Sequence, residues 1–182
     1  MLTGATGFVG KALSENLKEY SVNLTSRNAP KEFSDNFYIK TISGSEDFTD
    51  CLEDVDVVIH TAARVHRMHD QSLDPMSDYI ETNCSGTLNL ARQAVKSGVK
   101  RFIFISTIKV NGERTTKRSP FRFDDPRTCS DPYSLSKSKA EEGLIRISRE
   151  SKLEFTIIRP PLIYGPGVQA NFKSLMMLAK KN

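Results

Sequence analysis

Three glycines at a spacing of three, within Thr3-Gly4-Ala5-Thr6-Gly7-Phe8-Val9-Gly10, are followed at once by apolar residues one helical period apart, Val9, Leu13 and Leu17. This pattern reads as a tight turn opening into a helix. Gly4 lets the chain reverse, Gly7 keeps a Cβ out of the path of an approaching anion, and Gly10 lets the helix lie close on its strand. A helix that begins this way aims unpaired N–H groups and its positive dipole end at whatever sits in the turn, which predicts a pyrophosphate cradle. Taken alone, the triplet is equally compatible with an ordinary glycine-rich turn. The rest of the chain decides between the two.

The apolar pattern after the turn alternates between periods of two and of three to four. Val22 to Ser26, Val55 to Thr61, Phe102 to Thr107 and Phe155 to Arg159 read as buried strands, with a weaker one from Tyr38 to Ile42. Helices are predicted from Gly10, from Met76 to Lys96, and from Tyr133 to Glu150. In the middle helix Ile80, Cys84, Leu88, Ala91 and Val95 recur at steps of three and four, and Gly98 supplies the stop. Strand and helix in alternation make an α/β chain with a parallel sheet covered on both faces.

Tyr133 and Lys137 stand four apart at the start of the last of these helices, so both side chains project from one face. A free phenol titrates near about pH 10, and an ammonium beside it favours the phenolate, turning the tyrosine into a usable base. Upstream, Arg101-Phe102-Ile103-Phe104-Ile105-Ser106-Thr107 is an apolar run ending in two hydroxyls. Ligands of open α/β sheets bind at the carboxyl ends of strands, so Thr107, or Ser106 beside it, could hold a substrate hydroxyl against Tyr133. A solvated helix face and a simple turn cap are the plainer readings of the same residues.

In order, Thr3-Gly4-Ala5-Thr6-Gly7-Phe8-Val9-Gly10, Asp56-Val57-Val58-Ile59-His60-Thr61-Ala62-Ala63, Asn83 with Gly86-Thr87, Phe104-Ile105-Ser106-Thr107, Asp131-Pro132-Tyr133-Ser134-Leu135-Ser136-Lys137 and Arg159-Pro160-Pro161-Leu162-Ile163-Tyr164-Gly165-Pro166-Gly167 run nearly the whole length of the chain. This set resembles the extended short-chain dehydrogenase/reductases, and within them the NAD-dependent epimerase/dehydratase family, similar to enzymes of the UDP-glucose 4-epimerase kind. The resemblance implies a Rossmann-like, doubly wound parallel sheet and hydride chemistry on a nucleotide sugar. It implies Tyr133 as base, Lys137 on the nicotinamide ribose and Thr107 as hydroxyl partner. It places Ala62 and Ala63 along the cofactor and Pro161 and Leu162 at the border of the nicotinamide; with Gly4, Thr6, Gly7, Phe8, Val9 and Gly10 of the turn, and with Arg27, Ser106, Tyr133, Lys137 and Pro160, these make up the expected cofactor-binding set. Asn83 is implied as support for helix geometry near the site. Pairing of two subunits through the middle helix and the Tyr133 helix is a further implication.

The chain reads as one dinucleotide-binding domain, 1–182, in which 165–182 is expected to lead into a substrate-binding portion beyond this sequence. Only three residues precede the glycine turn, shorter than an ordinary central strand, so residues upstream are expected too. At 38% hydrophobic and 26% charged, the composition is that of a globular domain, without the run of about 20 apolar residues a membrane span needs. The start carries no signal-peptide pattern, and Cys51, Cys84 and Cys129 are odd in number and far apart, which suits a reducing cytoplasm. A net charge of +4 is too small to argue for nucleic acid. Arg114, Lys117, Arg118, Arg122 and Arg127 do cluster between Gly112 and Asp131; they read as a solvated loop, or as one that folds over a substrate diphosphate. His60, His66 and His69 lack the thiol or carboxylate partners of a metal site, and none is expected.

Cofactor choice and reaction outcome divide further. An acid at the end of the second strand would accept ribose hydroxyls and repel a 2′-phosphate, but here Leu24-Thr25-Ser26-Arg27-Asn28 offers none. The resemblance favours NAD and Arg27 favours NADP; NAD is the reading taken. A 4-epimerase, working through a transient keto-sugar, is the leading expectation. Its alternatives are a net reductase or dehydrogenase of a nucleotide sugar or other carbonyl compound, and a non-catalytic dinucleotide-binding or dimerising module. A dehydratase is disfavoured, because Ile108 and Lys109 follow Thr107 where that chemistry uses an acid pair.

Overall fold

In the computed structural model, which describes residues 1–30, 35–65, 72–116, 119–168, 172 and 177–179, six strands run parallel in one sheet. They are β1 (Leu2–Thr3), β2 (Leu24–Ser26), β3 (Phe37–Ile39), β4 (Val57–His60), β5 (Arg101–Ile105) and β6 (Glu154–Ile158), in the order β3-β2-β1-β4-β5-β6. From β1 the chain winds outward one way to β3, then returns to β4 beside β1 and winds the other way to β6. The reversal falls between β1 and β4, where Leu2 stands beside Ile59 and Thr3 beside His60. Right-handed crossovers then set α1 (Phe8–Asn16) on one face and α3 (Thr87–Lys96) and α4 (Pro132–Glu150) on the other. This is the doubly wound Rossmann-like sheet expected from the sequence.

The core lies between the sheet and the α3–α4 layer. Val58 pairs with Phe102 and His60 with Phe104, so these side chains share a face, and all four are fully buried. They meet Leu90, Ala91, Ala94, Ala140 and Leu144 of the two helices. Burying a large aromatic of this kind stabilises by about 2–3 kcal/mol. Their neighbours on the opposite face, Ile59, Ile103 and Ile105, are only partly covered. Gly143 of α4 meets α3 where an added Cβ would come within 2.5 Å of Leu88, which draws the two helices together.

The start of α4 is fixed by local chemistry. Asp131 accepts from Ser134 N at 2.7 Å, and Ser134 Oγ accepts from Asp131 N at 3.2 Å, a reciprocal cap reinforced by Pro132 in the first turn. Tyr133 and Lys137 are thereby held in its first two turns.

The middle helix departs from the continuous helix expected over Met76–Lys96. It is α2 (Pro75–Ile80), then a π turn over Glu81–Gly86, then α3. The wider turn rotates the preceding residues, so Tyr79 and Asn83 are buried where the periodicity pointed to Ile80 and Cys84, which are only partly covered. Two contacts explain it. Gly86 packs so closely on the segment after β3 that a Cβ would lie 2.7 Å from Ile42 Cγ2 and Ser43 N. Thr87 Oγ1 donates to Asn83 O at 2.8 Å, taking a carbonyl that a regular helix would bond through main-chain N–H alone.

Candidate active site

The strand ends around the switch point enclose a groove of about 500 Å³. Its walls include Gly4, Thr6, Gly7, Phe8, Val9 and Gly10 from the first turn, Ser26 and Arg27 after β2, Ala62 and Ala63 after β4, and Ser106 and Thr107 after β5. Tyr133 and Lys137 of α4 and Pro160 and Pro161 after β6 complete them. Of the residues expected along a cofactor, Leu162 alone is missing from the wall; it is 58% exposed, and Ile163 lines the groove instead.

Gly4, at φ +69°, makes the turn, and Gly10 closes it: a Cβ on Gly10 would lie 2.1 Å from Gly4 O. The helix α1 therefore starts against the strand end. Its N-cap, Gly7, offers no side chain, and the first turn holds no acid, so the leading N–H groups face the groove without an internal partner. These features fit a dinucleotide pyrophosphate: close main-chain approach, open donors and a positive helix end in one place. Thr6 Oγ1 and Ser26 Oγ are bonded at 2.6 Å along the same wall. Arg27 is exposed and pairs with no other side chain among the described residues. Lys40, also on the wall, is held by Asp47 O and Asp50 Oδ1, both at 2.7 Å.

Beyond β4, the chain is braced by buried polar groups. His60 Nδ1 accepts from Thr3 Oγ1 at 2.6 Å, and His60 Nε2 donates to Thr87 Oγ1 at 2.9 Å, the tautomer required because Thr87 already donates to Asn83 O. Burial drives the His60 imidazolium down to about 3, with Lys137 adding to the effect, so the ring is neutral. Both nitrogens are therefore committed inside the fold. His66 and His69 lie outside the described residues. Asn83 clasps the main chain after Ala63 on both sides: Arg64 N donates to its Oδ1 at 2.8 Å, and its Nδ2 donates to Arg64 O at 3.0 Å. The same Nδ2 reaches Ser136 Oγ at 3.0 Å, and Ser136 Oγ donates to Tyr133 O at 2.7 Å. One asparagine thus ties a groove wall to the Tyr133 helix, a use that the π turn makes possible.

Tyr133, Lys137 and the two hydroxyls after β5 are less simply arranged than the sequence spacing suggests. Lys137 is 1% exposed; Nζ donates to Ile105 O at 2.8 Å and stands 4.4 Å from the centre of the Phe104 ring. Burial pulls its ammonium down to about 7, while Glu141 pushes it back up. The Tyr133 phenol is pushed up to about 12, by burial first, then by the negative charge of Asp131 and by Tyr79. Tyr79 meets it edge-on at 6.3 Å and itself lies under the Arg64 guanidinium, 5.6 Å from the ring centre. A base here needs positive charge added to the groove; Lys137, the amine expected to favour the phenolate, is not among the groups that shift it. Of the two hydroxyls after β5, Ser106 Oγ is turned inward and donates to Glu141 at 2.5 Å. Among the described residues Thr107 accepts only from Lys109 N, at 3.3 Å, and its own hydroxyl proton has no partner there.

Outside the groove, Arg122 pairs with Asp124 at 3.3 Å and Arg127 with Glu142 at 2.8 Å. Neither lines the groove, and Lys117 and Arg118 lie outside the described residues. Lys109 Nζ contacts Asp131 Oδ2 at 2.7 Å. No described helix is long and apolar enough to cross a membrane.

Comparison with known proteins agrees with this fold. Residues 1–180 match the model of the NAD dependent epimerase/dehydratase family. The chain is 48% identical over 185 residues to the UDP-glucose 4-epimerase of Vibrio cholerae, aligning over 100% of itself and 56% of that protein. It is 29% identical to the N-acetyl-alpha-D-glucosaminyl-diphospho-ditrans,octacis-undecaprenol 4-epimerase of Escherichia coli O157:H7, over 97% of this chain and 52% of the other. It therefore spans about half the length of these curated relatives. Among solved structures, MoeE5 in complex with UDP-glucuronic acid and NAD superposes with a TM-score of 0.81 at 26% identity, covering 98% of this chain and 60% of that one. The Thermotoga maritima UDP-glucose 4-epimerase with UDP-glucose gives 0.75 at 28% identity, over 91% and 56%.

Proposed function

Since the chain belongs to the NAD dependent epimerase/dehydratase family, we propose that it forms the dinucleotide-binding part of a nucleotide-sugar 4-epimerase, of the UDP-glucose or UDP-N-acetylhexosamine type. The observation that carries this reading is the meeting of Thr107, Tyr133 and Lys137 in one groove with the open N-terminus of α1.

In this reading Gly4, Gly7 and the first N–H groups of α1 hold the pyrophosphate, and Ala62, Ala63, Pro160 and Pro161 wall in the dinucleotide. Bound oxidised nicotinamide supplies a hydride acceptor and a formal positive charge. Tyr133 takes the proton from a sugar hydroxyl, with Thr107 donating a hydrogen bond that keeps substrate and phenol in register. Lys137, in its protonated form, opposes the upward pull on the phenol and holds the ribose. Loss of the C4 hydrogen as hydride to a dinucleotide held in this groove would leave a 4-keto sugar, and return of hydride to its opposite face, with the Tyr133 proton returned to oxygen, would leave no net redox change.

NAD is the dinucleotide we take, in keeping with the NAD-bound MoeE5 relative. One observation favours a second reading: the groove-lining Arg27, which pairs with no side chain among the described residues, suits a 2′-phosphate, and NADP would point to a net reductase or dehydrogenase of a nucleotide sugar or another carbonyl compound. A dehydratase lacks support, since Lys109 beside Thr107 is paired with Asp131. The same family reading carries pairing of two copies through α3 and α4.

The test is Tyr133→Phe in a form extended to the length of the relatives. Turnover of UDP-glucose should fall at least a thousand-fold while calorimetric dinucleotide binding stays within a few-fold, because the phenol is the base and the ring a wall. Retained turnover contradicts the assignment. Accumulation of reduced nicotinamide in proportion to product would replace the epimerase with the dehydrogenase reading.

A further inference from the structure

A buried carboxylate that the proposed chemistry leaves unused lies one helical turn beyond Lys137. Glu141 of α4 is fully buried, and its spacing of four puts it on the same helix face as Lys137. Ser106 Oγ donates to Glu141 Oε1 at 2.5 Å, and Arg159 Nε donates to the same oxygen at 2.9 Å. Arg159 Nη2 holds Oε2 at 2.5 Å, with Arg127 Nη2 3.4 Å away. Arg159 also reaches outward, where Nη1 donates to Asn111 Oδ1 and to Phe123 O, both at 3.0 Å. Asn111 Nδ2 in turn donates to Arg122 O at 3.2 Å.

Such a pair is not needed for stability alone. Desolvating two charges costs several kcal/mol, and apolar residues of the same volume often serve as well or better. What the pair does here is join three parts of the site. Ser106 is the exit of β5, next to Thr107; residues 119–128 are a polar loop beside it; Lys137 is a groove wall.

We propose that Glu141 is a positioning residue, which through Arg159 pins the 119–128 segment, through Ser106 fixes the β5 exit, and as a buried countercharge holds the Lys137 ammonium against the groove. This role rests on the reading of Lys137 and Thr107 given above. The charged and titratable groups around Lys137 are Tyr133 and Glu141 on its own helix, neutral His60 from β4 and, through Glu141, the two guanidinium groups of Arg159 and Arg127. Of these Glu141 is the one that favours the protonated amine.

The experiment follows two readouts that need no substrate. In protein labelled with ¹³C-lysine, with the Lys137 signal identified by Lys137→Arg, the wild-type amine should titrate near pH 7, and Glu141→Gln should lower its midpoint by half a unit or more. Amide exchange should become at least ten-fold faster within 119–128 in the same variant while β4 and β5 keep their protection. Arg159→Lys, which leaves the carboxylate paired but cannot reach both Asn111 and Phe123, should loosen 119–128 with little change in the Lys137 midpoint. That variant carries the test should Glu141→Gln not fold. An unmoved midpoint in folded Glu141→Gln, or unchanged protection of 119–128 in folded Arg159→Lys, overturns the proposal, whatever reaction the wild-type protein catalyses.

Discussion

Single residues around the phenol act through charge more than through contact. Asp131 caps α4 two positions before Tyr133 and raises the phenol, and Lys109 sits on the same carboxylate at 2.7 Å. Lys109 thus moderates a charge that works against the proposed base. Lys109→Met should expose the full effect of Asp131 and move the alkaline-going limb of the activity profile upward, by a few tenths of a unit to about one unit at low ionic strength and less in high salt. A pH–rate series at two salt concentrations measures this, and a shift toward acid would contradict it. That Tyr133, Lys137 and Thr107 would line one groove was legible in the sequence because helical spacing and strand-end position are local properties. The choice between Ser106 and Thr107 was not legible, for it depends on Glu141, thirty-five positions later, receiving the Ser106 hydroxyl. Leu162 and Ile163 traded places for a similar reason: both are apolar, and only the path of the chain after Pro161 decides which one faces the groove.

Among the elements, the strands and α4 follow their sequence signals to within a few residues, since alternation of buried positions and the Asp131–Ser134 cap are written in neighbouring residues. The middle helix is the exception. A helix and a helix with one wide turn share almost the same periodicity over so short a stretch, and what selects the π turn is Gly86 lying against Ile42 and Ser43, from a different part of the chain. Substitution there is accordingly informative. Gly86→Ala adds a methyl where there is room for none and should destabilise the protein by about 1–3 kcal/mol. Urea unfolding reads the loss, and the clasp of Asn83 on Arg64 should weaken with it, seen as faster exchange at the Arg64 amide. A variant as stable as the wild type would mean that the two segments separate easily, and that the π turn has another cause.

For the molecule as a whole, two fully buried basic groups set a common pH dependence. His60 falls from its usual 6.5 to about 3 and Lys137 from 10.5 to about 7 on folding. In each case the unfolded chain binds a proton the folded one does not, so stability declines as pH falls through the window between the two values. Below pH 6.5 the His60 share is about 1.4 kcal/mol per pH unit until its folded value is reached. His60→Gln should therefore flatten the acid limb of stability measured by denaturant titration between pH 6.5 and 4, even though it weakens the protein at neutral pH. An equally steep limb in the variant would place the proton uptake elsewhere. There is also a kinetic side to the architecture. Every neighbouring strand pair is parallel, so no hairpin can form early, and the groove draws its walls from turns as distant as Gly4 and Pro161. Such a chain must close long loops before any contact rewards it, which slows folding and lengthens the life of sticky partial structures. On the proposed reading a dinucleotide would bind only after that closure, and so would act as a latch on the finished fold rather than a guide to reaching it.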